Sequence, residues 1–214
     1  NLLVEQAAKL VVEYELVVSE ELLIDAFQRF CVNDGENDKN CRAKTPLIEA
    51  MLHLDIDAPD FFLQGMKYVQ IEPGWGGPPT DSAANLRGVC AHGLIRSRIA
   101  SPFTTMLALV DLLNDPQQQT RAHAARAIAL MNSQATVPLL RMKVLVGDDD
   151  PEVFGECFRG MLDTPNLQCV EFVASYLLGD PDVAIEAATA LGESHHEAAV
   201  LALIAATAKC PSDL

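Results

Sequence analysis

The chain has 214 residues, of which 50% are hydrophobic, and its formal net charge is −15 at pH 7. The hydrophobic fraction excludes a disordered chain, and the length allows one well-buried domain or a short array of repeats. The acidity disfavours nucleic acid as a partner, because phosphate binding needs clustered Lys and Arg, so a basic partner, or none, fits better. No apolar run reaches the roughly 18 to 20 residues that cross a bilayer, so no membrane partner is expected.

Six cysteines are scattered along the chain without any Cys-x-x-Cys pair. Most replace small apolar residues in helical patterns, which favours free thiols in a reducing compartment and hence a cytoplasmic location. A disulfide between Cys31 and Cys41, across the loop at Gly35, remains an alternative. The cysteines are Cys31, Cys41, Cys90, Cys157, Cys169 and Cys210.

Residues 1–37 are predicted to form a helical pair that caps the rest of the chain. The stretch from Lys9 to Val18 is rich in Val and has strand propensity. Its Glu13 and Glu15 and its helical flanks nevertheless favour a helix. No segment of the chain is predicted to form a sheet.

Residues 38–208 carry a repeated helical pattern, found by its small residues. In five units, a starting residue is followed by small or apolar residues at +4 and +7 and by a larger apolar residue at +8. This spacing forms one stripe on a helix, and small side chains there let two helices approach closely. A second apolar helix follows in each unit. The units start at Ala43, Leu86, Thr120, Val153 and Val183.

Several first helices are preceded by Asp-Pro, which marks a helix start because Asp can cap and Pro suits the first helical position. The clearest instances are Asp115-Pro116, Asp150-Pro151 and Asp180-Pro181. The second helices are predicted over Phe61 to Val69, Phe103 to Leu113, Val137 to Leu145, Leu167 to Leu178 and Ala198 to Thr207.

Residues 71–81 interrupt the array with an irregular segment rich in Gly and Pro. It accounts for the longest step between units and contains Trp75, the only Trp of the chain. Irregular connections lie on the surface, where binding residues concentrate, so Trp75 and Glu72 are candidate contacts to a partner. The alternative is that Trp75 folds back and fills the groove between neighbouring repeats.

Two segments, 120–128 and 180–192, resemble HEAT repeats of the short variety found in phycobilisome lyase-like proteins. They carry Thr-Arg-Ala-His-Ala-Ala-Arg-Ala-Ile and Asp-Pro-Asp-Val-Ala-Ile-Glu-Ala-Ala-Thr-Ala-Leu-Gly. The resemblance covers residues 38–208 and implies one domain over 1–214, a right-handed α-solenoid of five to six two-helix repeats with a tail at 209–214. It implies an architecture and leaves the activity open.

The family places an Arg near the start of each first helix. Arg87 and Arg121 keep this residue and Lys44 approximates it, whereas Phe154 and Ala184 lose it. A ladder of such residues would therefore end midway along the array. Arg87 and Arg121 are candidate binding residues.

Solenoids of this kind offer a concave face lined by their second helices, which is a common binding surface. The polar candidates there are Gln64, Lys67, Tyr68 and Arg141, and the alternative for each is a merely solvated position. We therefore expect a non-enzymatic module that binds a protein or peptide. Self-association through uncapped ends is a further expectation.

Three enzyme classes are the alternatives that the resemblance allows. Hydroxylases built from HEAT repeats hold two irons with several His-Glu pairs, but only His196-Glu197 has that form here. Alkylpurine DNA glycosylases need a basic concave face, which the acidity disfavours. Bilin lyase activity is allowed, yet no residue identifies it. No catalytic residue, metal or cofactor is therefore expected.

Overall fold

The computed structural model describes residues 1–32, 36–74 and 76–209. Within these ranges the protein is helical apart from one pair of two-residue strands, which confirms the all-α class. None of the described helices is long and apolar enough to cross a membrane. The described cysteines are free thiols, so the alternative disulfide between Cys31 and Cys41 is absent, while Gly35 and Cys210 lie outside the described residues.

The described residues contain twelve α-helices and one short 3₁₀ helix, Lys39–Cys41. The α-helices are α1 (Leu2–Glu13), α2 (Glu20–Cys31), α3 (Lys44–His53), α4 (Pro59–Gly65), α5 (Ala84–Arg96), α6 (Pro102–Leu112), α7 (Gln118–Leu130), α8 (Thr136–Val146), α9 (Pro151–Leu162), α10 (Leu167–Ala174), α11 (Pro181–Glu193) and α12 (Glu197–Thr207).

Two of the three Asp-Pro pairs start a helix. The carboxylates of Asp150 and Asp180 accept hydrogen bonds from first-turn N–H groups of α9 and α11, and Pro occupies the first helical position in both. The third pair, Asp115-Pro116, precedes a turn and not a helix. The Asp115 carboxylate accepts from the N–H of Gln117 at 2.8 Å and closes this turn. Helix α7 therefore begins at Gln118.

Two second helices are shorter than predicted. Helix α4 ends at Gly65 and α10 ends at Ala174. The chain continues from each in tight turns, in which the N–H of Tyr68 donates to the carbonyl of Gly65 at 3.1 Å and that of Tyr176 donates to Val173 at 3.1 Å. The side chain of Tyr68 therefore leaves the helical stripe on which the sequence pattern placed it.

A strand pair, β1 (Ile71–Glu72) and β2 (Thr80–Asp81), bounds the segment predicted to be irregular. The strands are antiparallel, with Ile71 opposite Asp81 and Glu72 opposite Thr80. The sequence did not predict this pair, because two residues are too few for an alternating pattern to appear. The strands bring the two ends of the Gly/Pro segment together.

The chain divides into two compact units, an N-terminal unit (Asn1–Leu112) and a C-terminal unit (Leu113–Leu214). In the N-terminal unit, α1, α2 and α5 contact α3, and α4 and α6 contact α5. Phe62 of α4 is fully buried, and a Cβ on Gly93 of α5 would come within 2.8 Å of its ring. Gly93 therefore allows α4 and α5 to pack closely.

In the C-terminal unit the first helices α7, α9 and α11 are consecutive neighbours. Helix α8 contacts α7 and α9, α10 contacts α9 and α11, and α12 contacts α10 and α11. A Cβ on Gly160 of α9 would lie 2.6 Å from the Cβ of Ala129 and 2.7 Å from Cδ1 of Leu140. Because Gly160 has no side chain, α7 and α8 can pack closely against α9.

Ion pairs link the same three first helices. Arg126 of α7 lies 2.5 Å from the Glu156 carboxylate of α9, which also accepts from Arg159 at 2.9 Å. Arg159 in turn lies 3.5 Å from Glu186 of α11. Burial alone would raise the pKa of Glu156, but the hydrogen bonds from the two arginines outweigh it and hold this pKa below its usual range.

Candidate functional site

The N-terminal unit contains an apolar cleft between α2 and the end of α4. Its volume is about 340 Å³, within the range of protein sites that hold a small ligand or a side chain. Apolar side chains form most of its wall, and two glutamines and a tyrosine provide the polar groups. The lining residues are Phe27, Gln28, Cys31, Val32, Phe61, Gln64, Gly65 and Tyr68.

Packed aromatic rings form one wall of the cleft. The centroids of Phe27 and Phe61 are 4.9 Å apart, and the rings meet edge to face at 75°. Phe61 also lies edge to face with the buried Phe62, at 6.2 Å. Because Phe62 is held against Gly93, the wall rests on the core of the unit, which favours a preformed site.

The floor of the cleft is closed by a contact between α4 and α5. A Cβ on Gly65 would overlap the Sγ of the fully buried Cys90, so only glycine permits this approach. The half-buried thiol of Cys31 lies in the wall. Burial raises the pKa of Cys31, which keeps the thiol protonated and weakly nucleophilic at neutral pH.

Tyr68 is held at one end of the cleft by polar contacts. Its hydroxyl donates to Oε1 of Gln70 at 3.2 Å. The ammonium of Lys44 lies 5.2 Å from the Tyr68 ring centroid and donates to the carbonyl of Phe30 at 3.2 Å. The cation therefore ties the last turn of α2 to the ring, which orients the ring against the cleft.

Gln70 is the centre of a polar network directly behind Tyr68. Its Nε2 donates to the carbonyl of Asp38 at 2.8 Å and to Oε1 of Glu72 at 2.6 Å. The same Glu72 oxygen accepts from the Ser82 hydroxyl at 2.5 Å and from the N–H of Asn40 at 2.6 Å. Burial alone would raise the pKa of Glu72, but these hydrogen bonds outweigh it and keep the pKa below its usual range.

The second strand is fixed by a buried ion pair. Arg87 of α5 donates to the Asp81 carboxylate at 2.7 Å and to the carbonyl of Tyr68 at 2.9 Å. The other Asp81 oxygen accepts from the backbone N–H of Gln70 at 3.1 Å and of Ala83 at 3.0 Å. Arg87 therefore anchors the second strand and the turn before the first strand to α5. The described residues between the strands are mostly exposed.

Four of the predicted site residues meet in this region, in two different roles. Gln64 and Tyr68 line the cleft. Glu72 and Arg87 are engaged in the network that fixes the strands. Lys67 is exposed in the turn after α4. Trp75 lies outside the described residues.

The other two predicted site residues lie in the C-terminal unit. Arg121 is buried and donates to the Asp148 carboxylate at 2.8 and 2.7 Å and to the carbonyls of Asp115 and Pro116 at 3.0 and 3.1 Å. These bonds use the N–H donors of the Arg121 guanidinium and join α7 to the loop before α9. Arg141 is exposed and stacks over the Phe172 ring at 3.8 Å from the centroid.

Sequence reasoning missed the half of the cleft that α2 contributes. Phe27 and Cys31 lie four residues apart on one face of α2, a spacing that signals an apolar stripe. The stripe was interpreted as a cap for the array, because nothing in the sequence indicates that α2 leaves a gap beside Phe61. Within the described residues, no group of three or more His, Cys, Asp or Glu side chains could hold a metal ion.

No protein-family model matches the chain, and a search of curated proteins found no match. The HEAT resemblance therefore remains a hypothesis that rests on the residue pattern.

Proposed function

We propose that this chain is a HEAT-like α-solenoid that acts as a non-enzymatic interaction module for a basic protein or peptide. One observation carries the proposal: the apolar cleft and the anchored Gly/Pro segment share Tyr68. The ring lines the cleft and its hydroxyl joins the network that fixes the strands. An apolar site next to a rigidly anchored exposed segment is suited to binding another chain.

The packing of the C-terminal unit supports the solenoid part of the proposal. Successive first helices are neighbours, and equivalent ion pairs join them, Arg126 to Glu156 and Arg159 to Glu186. Contacts that recur from one helix pair to the next are the mark of repeat proteins. On this proposal the second helices provide binding surface in the C-terminal unit, and the cleft provides it in the N-terminal unit.

The charge of the chain supports a basic partner. The net charge of −15 favours electrostatic attraction of a cationic surface. Arg87 and Arg121 are engaged in buried ion pairs, so the proposed contacts are Trp75, Gln64, Lys67 and Tyr68, with Arg141 on the second helices of the C-terminal unit. We also infer a reducing, cytoplasmic environment, supported by the free thiols.

The test is partner capture from the native cell with the full chain, followed by titration of the purified partner. Trp75→Ala and Lys67→Glu are the informative variants. Lys67→Glu should strengthen binding, because it replaces a cation by an anion opposite a basic partner, and Lys209→Glu, at an exposed position of the C-terminal unit, is the matched charge control. We expect Trp75→Ala to weaken binding by about tenfold or more, the usual effect of truncating an aromatic hot-spot residue at an interface. Wild-type affinity in both informative variants would show that the proposed surface is wrong.

The rival enzymatic interpretation is tested on the same preparation. A coloured covalent adduct after co-expression with a bilin, or iron bound in stoichiometric amount, would replace the interaction module with a lyase-like or hydroxylase-like protein. Colourless, metal-free protein that binds its partner would support the module.

Self-association through the ends of the array is part of the proposal. Leu3 on α1, Ile185 on α11 and Leu201 on α12 are large exposed apolar residues, which supports an association of one copy with another. Sedimentation velocity over a concentration series tests it. Ile185→Lys should lower any concentration-dependent association, and a monomer at every concentration would refute it.

A further inference from the structure

We propose that a pocket at the C-terminal ends of α7, α9 and α11 binds a free α-amino acid with an apolar side chain. The carboxylate of this ligand binds Arg126 and Arg159, and its ammonium binds Asp163 and Glu193. The inference goes beyond the proposed interaction module and does not depend on it, because the whole pocket lies within the C-terminal unit.

The pocket combines charged side chains of both signs with apolar ones. Its volume of about 370 Å³ is at the lower end of the range for sites that hold a small ligand. A lining with both signs of charge complements a zwitterion better than an ion of a single sign. The charged lining residues are Arg126, Glu156, Arg159, Asp163 and Glu193.

The three helices end together at this pocket. Arg126 of α7 contacts Glu156 of α9, and one turn further along both helices a Cβ on Gly160 would come within 2.6 Å of the Ala129 Cβ, so α7 and α9 run in the same direction. The C-terminal end of a helix carries a partial negative charge, which attracts a cation. The last residues of α7, α9 and α11 all line the pocket, namely Leu130, Leu162 and Glu193.

Two arginines, one turn before these ends, provide the site for the ligand carboxylate. The buried Glu156 carboxylate holds both in place, since it accepts from Nε and Nη2 of Arg126 at 3.0 and 2.5 Å and from Nη2 of Arg159 at 2.9 Å. Nη1 of Arg159 lies 3.5 Å from Glu186. Nη1 of Arg126 and Nε of Arg159 have no acceptor among the described residues, which leaves N–H donors for a carboxylate.

Asp163 and Glu193 provide the site for the ligand ammonium. Both are exposed, and within the described ranges neither carboxylate forms an ion pair or a side-chain hydrogen bond. Asp163 follows Arg159 by four residues, a spacing at which the Cβ atoms of a helix lie about 5 to 6 Å apart. The ammonium and carboxylate of an α-amino acid are attached to one carbon, so a single molecule can contact both residues.

The apolar part of the lining selects the side chain of the ligand. Ala129, Leu130, Leu162 and Ala190 contribute no polar side-chain group to the pocket. Leu130 is 61% exposed, and a ligand side chain packed on it would remove this apolar surface from water. We therefore expect leucine, methionine and valine to bind better than amino acids with charged side chains.

The experiment is titration of the full-length protein with L-leucine and with two analogues that each lack one charge, followed by ligand-observed NMR, which detects weak binding. Isocaproate keeps the carboxylate without the ammonium, and isoamylamine keeps the ammonium without the carboxylate. L-Leucine should bind at least about tenfold more tightly than either analogue, because each analogue leaves one charged end of the pocket unpaired. An analogue that binds as tightly as L-leucine, or an absence of binding by leucine, methionine and valine, overturns the inference.

Variants of the two ends locate the site. Asp163→Asn should weaken L-leucine by about tenfold or more without weakening isocaproate, whereas Arg159→Gln should weaken both. Asp182→Asn, at an exposed position of α11 outside the pocket, is the matched control and should have no effect. Because Arg159→Gln also removes a contact of the buried Glu156, the exposed Asp163→Asn decides the question if that variant is unstable.

Wild-type affinity for L-leucine in Asp163→Asn overturns the site. Neither this result nor a failed titration affects the interaction module, since capture of the native partner is measured separately and depends on residues of other surfaces. Conversely, loss of partner capture in the variants of the N-terminal unit leaves the amino-acid site untested by that loss alone, and the L-leucine titration decides it.

Discussion

The ammonium of Lys44 lies 3.1 Å from the carboxylate of Asp38, and both side chains are completely buried. The same carboxylate accepts from the backbone N–H groups of Ala43 at 2.8 Å and Lys44 at 3.0 Å. Lys44 occupies the position at which the HEAT pattern places an Arg. The pair therefore closes the start of α3 with a fully hydrogen-bonded charge, the condition under which a buried ion pair is tolerated.

Removing the cation should strongly destabilise the N-terminal unit. In Lys44→Met the Asp38 carboxylate stays buried without its partner, and such a loss costs about 3 to 5 kcal/mol. Urea unfolding followed by circular dichroism measures the change. Lys67→Met, at an exposed position, is the control and should alter the free energy of unfolding by less than about 0.5 kcal/mol. Equal stability of the two variants would show that the buried pair contributes little.

Gly160 and Gly192 form a matched pair of helical glycines with opposite expected effects. In Gly160→Ala the new methyl group meets Ala129 and Leu140 within 2.7 Å, so overpacking should cost about 1 to 3 kcal/mol. In Gly192→Ala the methyl group meets nothing within 4 Å, and the better helix propensity should add up to about 1 kcal/mol. Thermal unfolding of both variants tests the close approach of α7 and α9, which an unchanged Gly160→Ala protein would contradict.

Stability should fall as the pH is lowered into the acid range. The pKa values of Glu72, Glu156 and Asp148 are all depressed in the folded protein, because hydrogen bonds from their partners outweigh burial. A depressed carboxyl stabilises the fold above its ordinary pKa, 4.5 for Glu and 3.8 for Asp, and this stability is lost as the pH falls through the lower folded value.

Urea midpoints between neutral and acid pH measure this dependence. Glu156→Gln should make the urea midpoint depend less on pH, because it removes one carboxyl group whose pKa is depressed in the folded protein. Glu193→Gln, an exposed carboxylate on α11, serves as the control and should leave the profile as in the wild type. A profile of Glu156→Gln that parallels the wild type would contradict the role of the Arg126 and Arg159 contacts.

The network around Glu72 should determine how firmly the Gly/Pro segment is held. Glu72→Ala removes the acceptor shared by Gln70, Ser82 and Asn40. We expect faster limited proteolysis between the two strands with little change in helix content, because the loss is local. Glu36→Ala, at an exposed position outside the network, is the control. An unchanged cleavage rate in Glu72→Ala would show that the remaining contacts of the two strands hold the segment without Glu72.

The sequence predicted helix positions well wherever the residue pattern lies within a single helix. The small residues of α9 and α11 and the caps at Asp150 and Asp180 lie within single helices, so their spacing predicts helices directly. The end of α4 was not predictable in this way. Apolar residues continue beyond Gly65, and only the tertiary contacts of Tyr68 show that the chain turns there.

The candidate site depended on contacts that the sequence pattern does not contain. Gln64 and Tyr68 were named for polarity on a presumed helix face, whereas Phe27 and Cys31 were not named at all. These residues line one cleft between α2 and α4, in which Gly65 lies against Cys90 of α5. The residue periodicity of either helix alone does not predict that cleft.

By itself, the sequence determined the all-helical class and the acidic character of the protein, because helical period and charge are local or additive properties. Only the tertiary structure decided that Arg87 and Arg121 are buried in ion pairs, that Glu72 supports a strand pair, and that α2 and α4 enclose a cleft. Those outcomes depend on which segments distant in the chain come into contact, and that is set by the packing of the whole unit.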